Sequence, residues 1–470
     1  MLTRRKFLMM SAGAGLLLSV PMLARTGVQP AQAATAITQV FGDGIRLTAV
    51  AVEYPTEVSA EGLNPADFHV EGRTVTGVWT STSTNPADIA PSGRYMIIAL
   101  SPDDKNATLA EQVQPNSKNN SNKSANGRGG PGNAGDIPAY DTVYRTAQAT
   151  VLRLPSVHTA SGDTLPASEK ALTTQYVENL IVDDFQQLEF YDEKTGKKLK
   201  YNLFIPKDYS PDKNYSPDKN YSPDKNYSPD KNYSPDKAWP LVLFMHDAGA
   251  TSDVTRTTLY QGLGAIAWAS PEDQAQRPCF VLAPQYEEII ADDDSKTSDM
   301  LDTTIDLINV LSEQYNIDKS RIYATGQSGG CMMTIAMNIK YPDFFAASFL
   351  VAGQWDPALV KPLAQQKLWI LVSQDDNKAW PGQNAIIDVL EKEGVQISRA
   401  IWDGTWNEEQ FRQAFEQIEA EKSPINYVAF REGTVIPEGQ STEGASGHRN
   451  TWRIAYTISP IREWIFRQQR

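Results

Sequence analysis

Residue types that crosslink chains or hold metals are scarce in this sequence. Its 470 residues include two cysteines, Cys279 and Cys331, and four histidines. Two cysteines are too few for a disulfide scaffold. Because Cys279 begins a strand-like run and Cys331 belongs to the other end of the predicted sheet, we expect two buried free thiols. Neither a Cys-x-x-Cys nor a His-Glu-x-x-His motif occurs, so we predict no metal site.

Long hydrophobic runs and an excess of basic residues are missing as well. Beyond the first 33 residues, nothing approaches the roughly 18 apolar residues of a membrane-spanning helix. We therefore expect no integral membrane segment in the mature chain. Acidic residues outnumber basic ones by 57 to 43, which gives a formal net charge of −14. This charge argues against nucleic acid as a partner.

Residues 1–33 have the composition of an export signal. The paired Arg4 and Arg5 precede an apolar stretch at 11–23, and a small-residue cleavage site ends at Ala33. The two arginines indicate the twin-arginine route. We predict cleavage after Ala33 and a periplasmic or extracellular location. The removed segment carries four basic and no acidic residues, so the mature net charge is −14 − 4 = −18.

The rest of the chain divides into two regions of different pattern. Over residues 34–160, short alternating runs predict an immunoglobulin-like β-sandwich, interrupted by a polar, low-complexity loop at 102–138. Over 182–470, apolar strands alternate with helical patterns, which predicts a mostly parallel sheet with helices on both faces. Within this second region, the loop at 207–238 contains five copies of YSPDK. We interpret this repeat as a loop remote from the carboxyl ends of the strands, where the chemistry is expected.

One serine is placed where a strand turns into a helix. Residues 326–330 read GQSGG, after a β-branched and aromatic run and before a Met-rich helical stretch. This is the arrangement of a nucleophile elbow with Ser328 at its apex, and a glycine-rich turn with an ordinary serine is the alternative. Side chains at Gly326 and Gly330 would collide with the crossing strand and helix. The N–H of Gly329 points to where an oxyanion would form.

A serine nucleophile needs an imidazole base and a carboxylate that orients the imidazole. Hydrolases with a nucleophile elbow carry these groups in the order Ser, Asp or Glu, His. Only His448 follows Ser328 among the histidines, and we expect it in a loop that reaches back over the sheet. Asp376, at the carboxyl end of a late strand, is the predicted acid. Asp375 and Asp356 are the alternatives.

The oxyanion hole needs a second backbone donor from the loop after an early strand, here residues 246–249, which read HDAG. We expect the N–H of Asp247 or Ala248 to act with that of Gly329. His246 is expected to brace this loop, with a role as base as the alternative.

These motifs resemble the polyhydroxybutyrate-depolymerase-like and feruloyl-esterase-like branch of the α/β-hydrolase superfamily. The region before residue 160 resembles the immunoglobulin-like domain that precedes the catalytic domain in exported two-domain esterases. The resemblance implies Ser328 as nucleophile, Asp376 as acid and His448 as base. Members commonly have His-Gly where this chain has His246 and Asp247. Besides the elbow, the resemblance rests on YNLFIP at 201–206, PLVLFMH at 240–246 and PCFVLAPQ at 278–285.

The sequence therefore predicts a secreted serine hydrolase that cleaves small or polymeric carboxylic esters without a cofactor. Trp355 and Trp380 follow strands at the active edge and are candidates for an apolar substrate pocket. A prolyl-oligopeptidase-like peptidase is one alternative, although the first region has the size of a sandwich and not of a propeller. An inactive module that binds cell wall or polysaccharide is another. The oligomeric state stays open, with a homo-oligomer among the options.

Overall fold

The computed structural model describes residues 31, 33–113, 130–209 and 237–470. Nearly all of the predicted export signal, the centre of the polar loop and the YSPDK repeat lie outside these ranges. Within them, no helix combines the length and the apolar character needed to cross a membrane.

The first region forms small, mostly antiparallel sheets. A five-stranded sheet has the order β12-β1-β2-β5-β4, and a three-stranded sheet has the order β11-β8-β3; β9 pairs with β10 and β6 with β7. Alternating side chains turn inward and form a common core, as the period-two pattern predicted. The strands are β1 Ala33–Phe41, β2 Gly44–Ser59, β3 His69–Val70, β4 Val75–Ser81, β5 Ser92–Leu100, β6 Ala110–Gln112, β7 Thr142–Tyr144, β8 Thr150–Arg153, β9 Val157–His158, β10 Thr164–Leu165, β11 Leu172–Thr173 and β12 Tyr176–Asn179.

The pairing of this region runs beyond residue 160, where we had placed its end. β12 pairs in parallel with β1, from Thr35 opposite Tyr176 to Thr38 opposite Asn179. A four-residue strand with little hydrophobic character carries no strong local signal, and a parallel partner far away in sequence decides its conformation.

The second region is built on one nine-stranded sheet with the order β13-β14-β16-β15-β17-β18-β19-β21-β20. β14 pairs antiparallel with β13 and β16, and the remaining pairs are parallel. Strands β15, β16 and β18 are buried along their whole length, which is expected for a sheet covered on both faces. The strands are β13 Gln186–Asp192, β14 Lys197–Phe204, β15 Trp239–Met245, β16 Phe280–Gln285, β17 Ile317–Gln327, β18 Ala347–Val351, β19 Leu368–Ser373, β20 Ile397–Trp402 and β21 Ile425–Phe430.

Helices follow most of the parallel strands and cover the sheet. Two large apolar clusters fill the two faces, and one of them continues into the core of the first region. The α/β architecture predicted from the sequence is thus observed. The helices are α1 Thr257–Tyr260, α2 Leu263–Ala269, α3 Pro271–Gln276, α4 Met300–Gln314, α5 Gly329–Lys340, α6 Ala379–Lys392, α7 Glu408–Glu419, α8 Ser446–Ala455 and α9 Ser459–Phe466.

The two regions are in direct contact. The ring of Tyr144 in β7 lies 5.2 Å from that of Tyr260 in α1. A second contact is a hydrogen bond from the hydroxyl of Tyr140 to the carbonyl of Glu287, with a length of 2.9 Å. The first region therefore borders the loops that follow β15 and β16, at the edge of the sheet where the carboxyl ends of the parallel strands meet.

Candidate active site

Ser328 stands between β17 and α5 with a strained backbone. Its φ is 51° and its ψ −117°, a conformation that a non-glycine residue adopts only when the surrounding structure enforces it. The amide of Ser328 donates to the carbonyl of Val351 in the neighbouring strand at 3.0 Å. Its side chain is half-buried. The turn therefore presents the hydroxyl at the carboxyl edge of the sheet, as a nucleophile elbow does.

The glycines around Ser328 are required by close approaches. A Cβ atom at Gly326 would overlap the carbonyl group of Gly330 in the helix. A Cβ atom at Gly330 would overlap the carbonyl group of Met245 at the end of β15. Both collisions were expected from the sequence, and both involve backbone that has no freedom to move aside.

Replacing Gly330 with alanine is expected to destabilise the fold. The added methyl group must displace β15 or α5, and overpacking of this kind costs about 3 kcal/mol or more when backbone has to shift. Urea denaturation followed by circular dichroism measures the loss. Gly329→Ala is the matched control, because its Cβ would make an ordinary contact 3.7 Å from the nitrogen of Ala248. Equal stability of the two variants would contradict this account of the elbow.

The structure brings His448 and Asp376 to Ser328. His448 Nε2 lies 2.8 Å from Ser328 Oγ, and His448 Nδ1 lies 2.5 Å from Asp376 Oδ2. With Nδ1–H donating to the carboxylate, Nε2 is left to accept the proton of the serine hydroxyl. The ring of Trp452, one turn along the same helix, lies nearly perpendicular to the imidazole, with ring centroids 4.9 Å apart. The arrangement can therefore withdraw a proton from the serine.

His448 is located in a helix and not in a loop, which corrects our expectation. It is the third residue of α8, Ser446–Ala455. The residue before it, Gly447, allows the first turn of this helix to approach β19, since a Cβ there would lie 2.6 Å from the carbonyl oxygen of Asp375. A glycine is otherwise unfavourable in the first turn of a helix, so Gly447 in the sequence SGH indicated that this turn packs closely against another part of the chain.

The Asp376 carboxylate is buried, with 3% of the residue exposed. Its Oδ1 accepts the backbone N–H of Lys378 at 3.1 Å and that of Ala379 at 2.9 Å, at the start of α6. Burial raises the pKa of Asp376, but the hydrogen bond and charge of His448 and these two amides outweigh burial and lower the pKa below its ordinary value. The group is therefore held as a carboxylate that can stabilise an imidazolium.

The two alternative acids have other partners. The Asp375 carboxylate accepts the N–H of Gly433, with distances of 3.2 and 2.9 Å to its two oxygens. The Asp356 carboxylate accepts the N–H of Ala358 at 2.9 Å and caps a short 3₁₀ turn. Asp376 is the one of the three that contacts His448.

The loop after β15 places a second amide beside Gly329. The Cβ direction of Gly329 points to the nitrogen of Ala248, at 3.7 Å. Asp247 takes a different part: its carboxylate accepts the N–H of Gly249 at 3.0 Å and the side-chain amide of Gln327 at 2.9 Å. Its φ of −73° suits any residue, so this position does not require the glycine common in the family. The geometry favours Ala248 over Asp247 as the donor next to Gly329.

His246 braces the loop from inside the fold. Its Nδ1 is 2.8 Å from the carbonyl of Asp247, and its Nε2 accepts the N–H of Tyr286 at 3.0 Å. Burial lowers the pKa of His246, which keeps the imidazole neutral for both bonds. The imidazole that accepts the hydrogen bond of the Ser328 hydroxyl is that of His448 and not that of His246.

A pocket of about 420 Å³ opens beside the site that contains Ser328 and Asp376. Trp355, which is 6% exposed, forms part of its wall, whereas Trp380 is not among the described residues that line it. Two lining residues adjoin the site directly: the N–H of Met332 donates to the carbonyl of Ser328, and that of Lys378 to Asp376. The lining also includes Asp356, one of the two alternative acids, and five residues that the sequence did not single out: Asp293, Asp294, Ser295, Gln354 and Pro357.

An α/β hydrolase preceded by an immunoglobulin-like sandwich is the class that this fold and site define, and two family profiles agree with it. Residues 33–166 match a profile described as the esterase Ig-like N-terminal domain. Residues 285–398, which include Ser328 and Asp376, match the prolyl oligopeptidase family. Neither match spans half of the chain. Together they confirm the predicted fold class.

Individual relatives agree with this class. The chain is 27% identical over 224 residues to the poly(3-hydroxybutyrate) depolymerase of Ralstonia pickettii, which covers 45% of this chain and 43% of that protein. It is 46% identical over 56 residues to acetylxylan esterase A of Emericella nidulans, 12% of this chain and 16% of that protein. The chain thus matches less than half the length of these curated relatives.

A solved structure described as a thermostable esterase shares the fold over both regions. It has a TM-score of 0.71 at 23% identity and covers 93% of this chain and 100% of that one. The predicted resemblance to two-domain esterases is confirmed, and the relatives support the predicted class of carboxylic ester hydrolase.

Proposed function

We propose that this protein is a serine hydrolase that cleaves carboxylic esters through an acyl-enzyme. The observation that carries the proposal is the continuous chain of hydrogen bonds from Ser328 through His448 to Asp376, with distances of 2.8 and 2.5 Å. It lies at an elbow whose strained backbone presents the hydroxyl of Ser328 at the carboxyl edge of the sheet. The reaction needs no cofactor, because nucleophile, base and oxyanion donors all come from the chain.

The proposed reaction has two halves. Ser328 Oγ attacks the ester carbonyl while His448 Nε2 takes its proton, and the carboxylate of Asp376 stabilises the imidazolium that forms. The N–H groups of Gly329 and Ala248 stabilise the oxyanion. His448 then protonates the departing alcohol, and a water molecule, deprotonated by the same imidazole, releases the acid and restores the serine.

An irreversible aryl phosphonate tests the class directly. We expect the reagent to label Ser328, found by peptide mass spectrometry, and the protein to hydrolyse 4-nitrophenyl acetate. Prior phosphonate treatment should abolish that hydrolysis. An unlabelled protein that is retained on insoluble glycan would instead favour the inactive binding module.

A peptidase is the second candidate, because residues 285–398 match the prolyl oligopeptidase family. That family shares the fold and the order of the catalytic groups. The described part of the first region forms small, mostly antiparallel sheets of sandwich size. We expect turnover of 4-nitrophenyl esters and none of prolyl 4-nitroanilides. Faster cleavage of the anilides would make the peptidase the favoured function in place of the esterase.

Our proposals for the substrate and for the location of the protein rest on the relatives and on the first residues of the chain. Esters of polysaccharides or polyesters are proposed substrates, since the relatives are named for acetylxylan and poly(3-hydroxybutyrate). The paired arginines at the start of residues 1–33 support export by the twin-arginine route, with the sandwich domain and the catalytic domain both in the mature protein.

A further inference from the structure

One loop forms a wall of the pocket described above. Residues 291–297, called here the wall loop, lie between β16 and α4, and a β-bridge joins Ala291 to Thr297. Three consecutive residues of the wall loop, Asp293 to Ser295, line the pocket. At Ser295 the φ is 56°, so the tip of the loop is held in a conformation that needs support from its surroundings.

Two polar contacts between the wall loop and other parts of the catalytic domain are accessible to water. The carboxylate of Asp293 forms an ion pair with Lys378, and the two side chains are 39% and 52% exposed. The N–H of Asp356 donates to the hydroxyl of Ser295 at 2.9 Å. An ion pair this exposed contributes little to the order of a loop, because water and salt screen it.

A buried carboxylate also anchors the wall loop: it belongs to Asp292, which is 5% exposed. Its Oδ1 accepts the N–H of Asp294 at 3.0 Å and that of Lys296 at 3.1 Å, so it shapes the tip of the loop. Its Oδ2 accepts the N–H of Ala134, from the sandwich domain, at 2.9 Å. Bonds from N–H groups to a buried carboxylate are stronger than those between neutral groups.

Backbone pairing strengthens the same junction. The N–H of Gly135 donates to the carbonyl of Ile289, and the N–H of Ile289 to that of Asp136, both at 2.8 Å. The sandwich domain thus meets the segment just before the wall loop over several bonds. One carboxylate, that of Asp292, connects this junction to the pocket wall itself.

We propose that Asp292 is a positioning residue through which the sandwich domain sets the shape of the substrate pocket. The inference rests on the proposed esterase function and assigns to the first domain a part in selecting esters by size. Loss of the anchor releases a wall of the pocket without moving Ser328, His448 or Asp376. A large acyl group then loses its contacts, while a small one, which needs no wall, reacts as before.

Two variants approach the anchor from opposite sides. Asp292→Ala removes the carboxylate. Ala134→Pro removes only the donor in the sandwich domain: residues 133–136 form a turn closed by the N–H of Asp136 and the carbonyl of Asn133, with φ of 91° at Gly135, and proline is favoured at the second position of such a turn. Tyr140→Phe is the matched control, since it deletes another bond between the domains, to Glu287, but leaves the wall loop intact.

Kinetics with 4-nitrophenyl acetate and 4-nitrophenyl octanoate measure the effect. For octanoate we expect KM to rise about tenfold in Asp292→Ala, which loses three hydrogen bonds, and about fivefold in Ala134→Pro, which loses one. The kcat for acetate should stay within about twofold of the parent value, because the groups that carry the chemistry are not disturbed. Tyr140→Phe should keep both parent values.

Three results would overturn the inference. They are an equal loss on both esters, an unchanged octanoate KM in Ala134→Pro, and a Tyr140→Phe variant as impaired as Ala134→Pro. Phosphonate labelling of Ser328 in the parent protein separates these results from failure of the esterase function itself. If the parent is neither labelled nor active, the esterase function is refuted. If the parent is labelled and the variants keep its selectivity between the two esters, the role of Asp292 is refuted.

Discussion

Ser328→Ala is expected to lower kcat for 4-nitrophenyl acetate by on the order of 10³-fold or more. The hydroxyl is the group that becomes acylated, and neither the imidazole of His448 nor the oxyanion donors can take its place. Folding should not suffer, because the Oγ atom is half-buried at the edge of the sheet and its bond is to His448. Initial rates at saturating ester measure kcat, and thermal unfolding shows that the fold is kept.

Two further variants sharpen this result. Ser312→Ala, whose hydroxyl bonds only within α4, to the carbonyl of Ile308, should keep the parent kcat. Adding His448→Ala to Ser328→Ala should cost little more, since residues that act as one unit give strongly non-additive losses. A loss of less than about tenfold in Ser328→Ala would make the serine incidental and remove the basis of the proposed function.

Much of this site was predictable because its signals are local. The glycines around Ser328 report a sharp turn, and the order of Ser328, Asp376 and His448 along the chain follows from the order of strands in a doubly covered sheet. Parallel strands end at one edge, so residues just after β17 and β19, which flank β18, lie at the same edge of the sheet. Alternation of strand and helix patterns predicted the fold class for the same reason.

Other features could not be predicted, because they depend on contacts between residues far apart in sequence. Ala134 and Asp292 are separated by 158 positions, and neither has a neighbourhood that marks it as a contact. The position of His448 in α8 depends on how closely that helix approaches Asp375, which no periodicity reveals. The choice of Ala248 as donor needed the position of its nitrogen next to Gly329, because Asp247 and Ala248 both have a backbone N–H and the sequence does not distinguish them.

The choice among Asp356, Asp375 and Asp376 shows the same limit on a smaller scale. All three follow a strand of the sheet, so each satisfies the sequence rule. The three carboxylates differ in the backbone N–H groups that they accept: that of Ala358 for Asp356, that of Gly433 for Asp375, and those of Lys378 and Ala379 for Asp376. Only the last arrangement leaves an oxygen directed at His448.

Asp376→Asn is expected to reduce kcat for 4-nitrophenyl acetate by about 10³- to 10⁴-fold. The N–H groups of Lys378 and Ala379 select the amide oxygen for the site of Oδ1, so the amide nitrogen must face Nδ1 of His448. That nitrogen donates, and it forces the imidazole into the tautomer with its proton on Nε2. The base then cannot accept the proton of Ser328, although every atom keeps nearly its original place.

Asp375→Asn provides the matched comparison, because it removes the same charge one residue away. Its carboxylate accepts a single N–H, from Gly433, which an amide oxygen can also accept, so kcat should stay near the parent value. If the charge of this loop were what matters, both variants would be impaired alike. If Asp375 were the acid, their order would be reversed. Proton NMR of the imidazole N–H groups would report the tautomer of His448 independently of turnover.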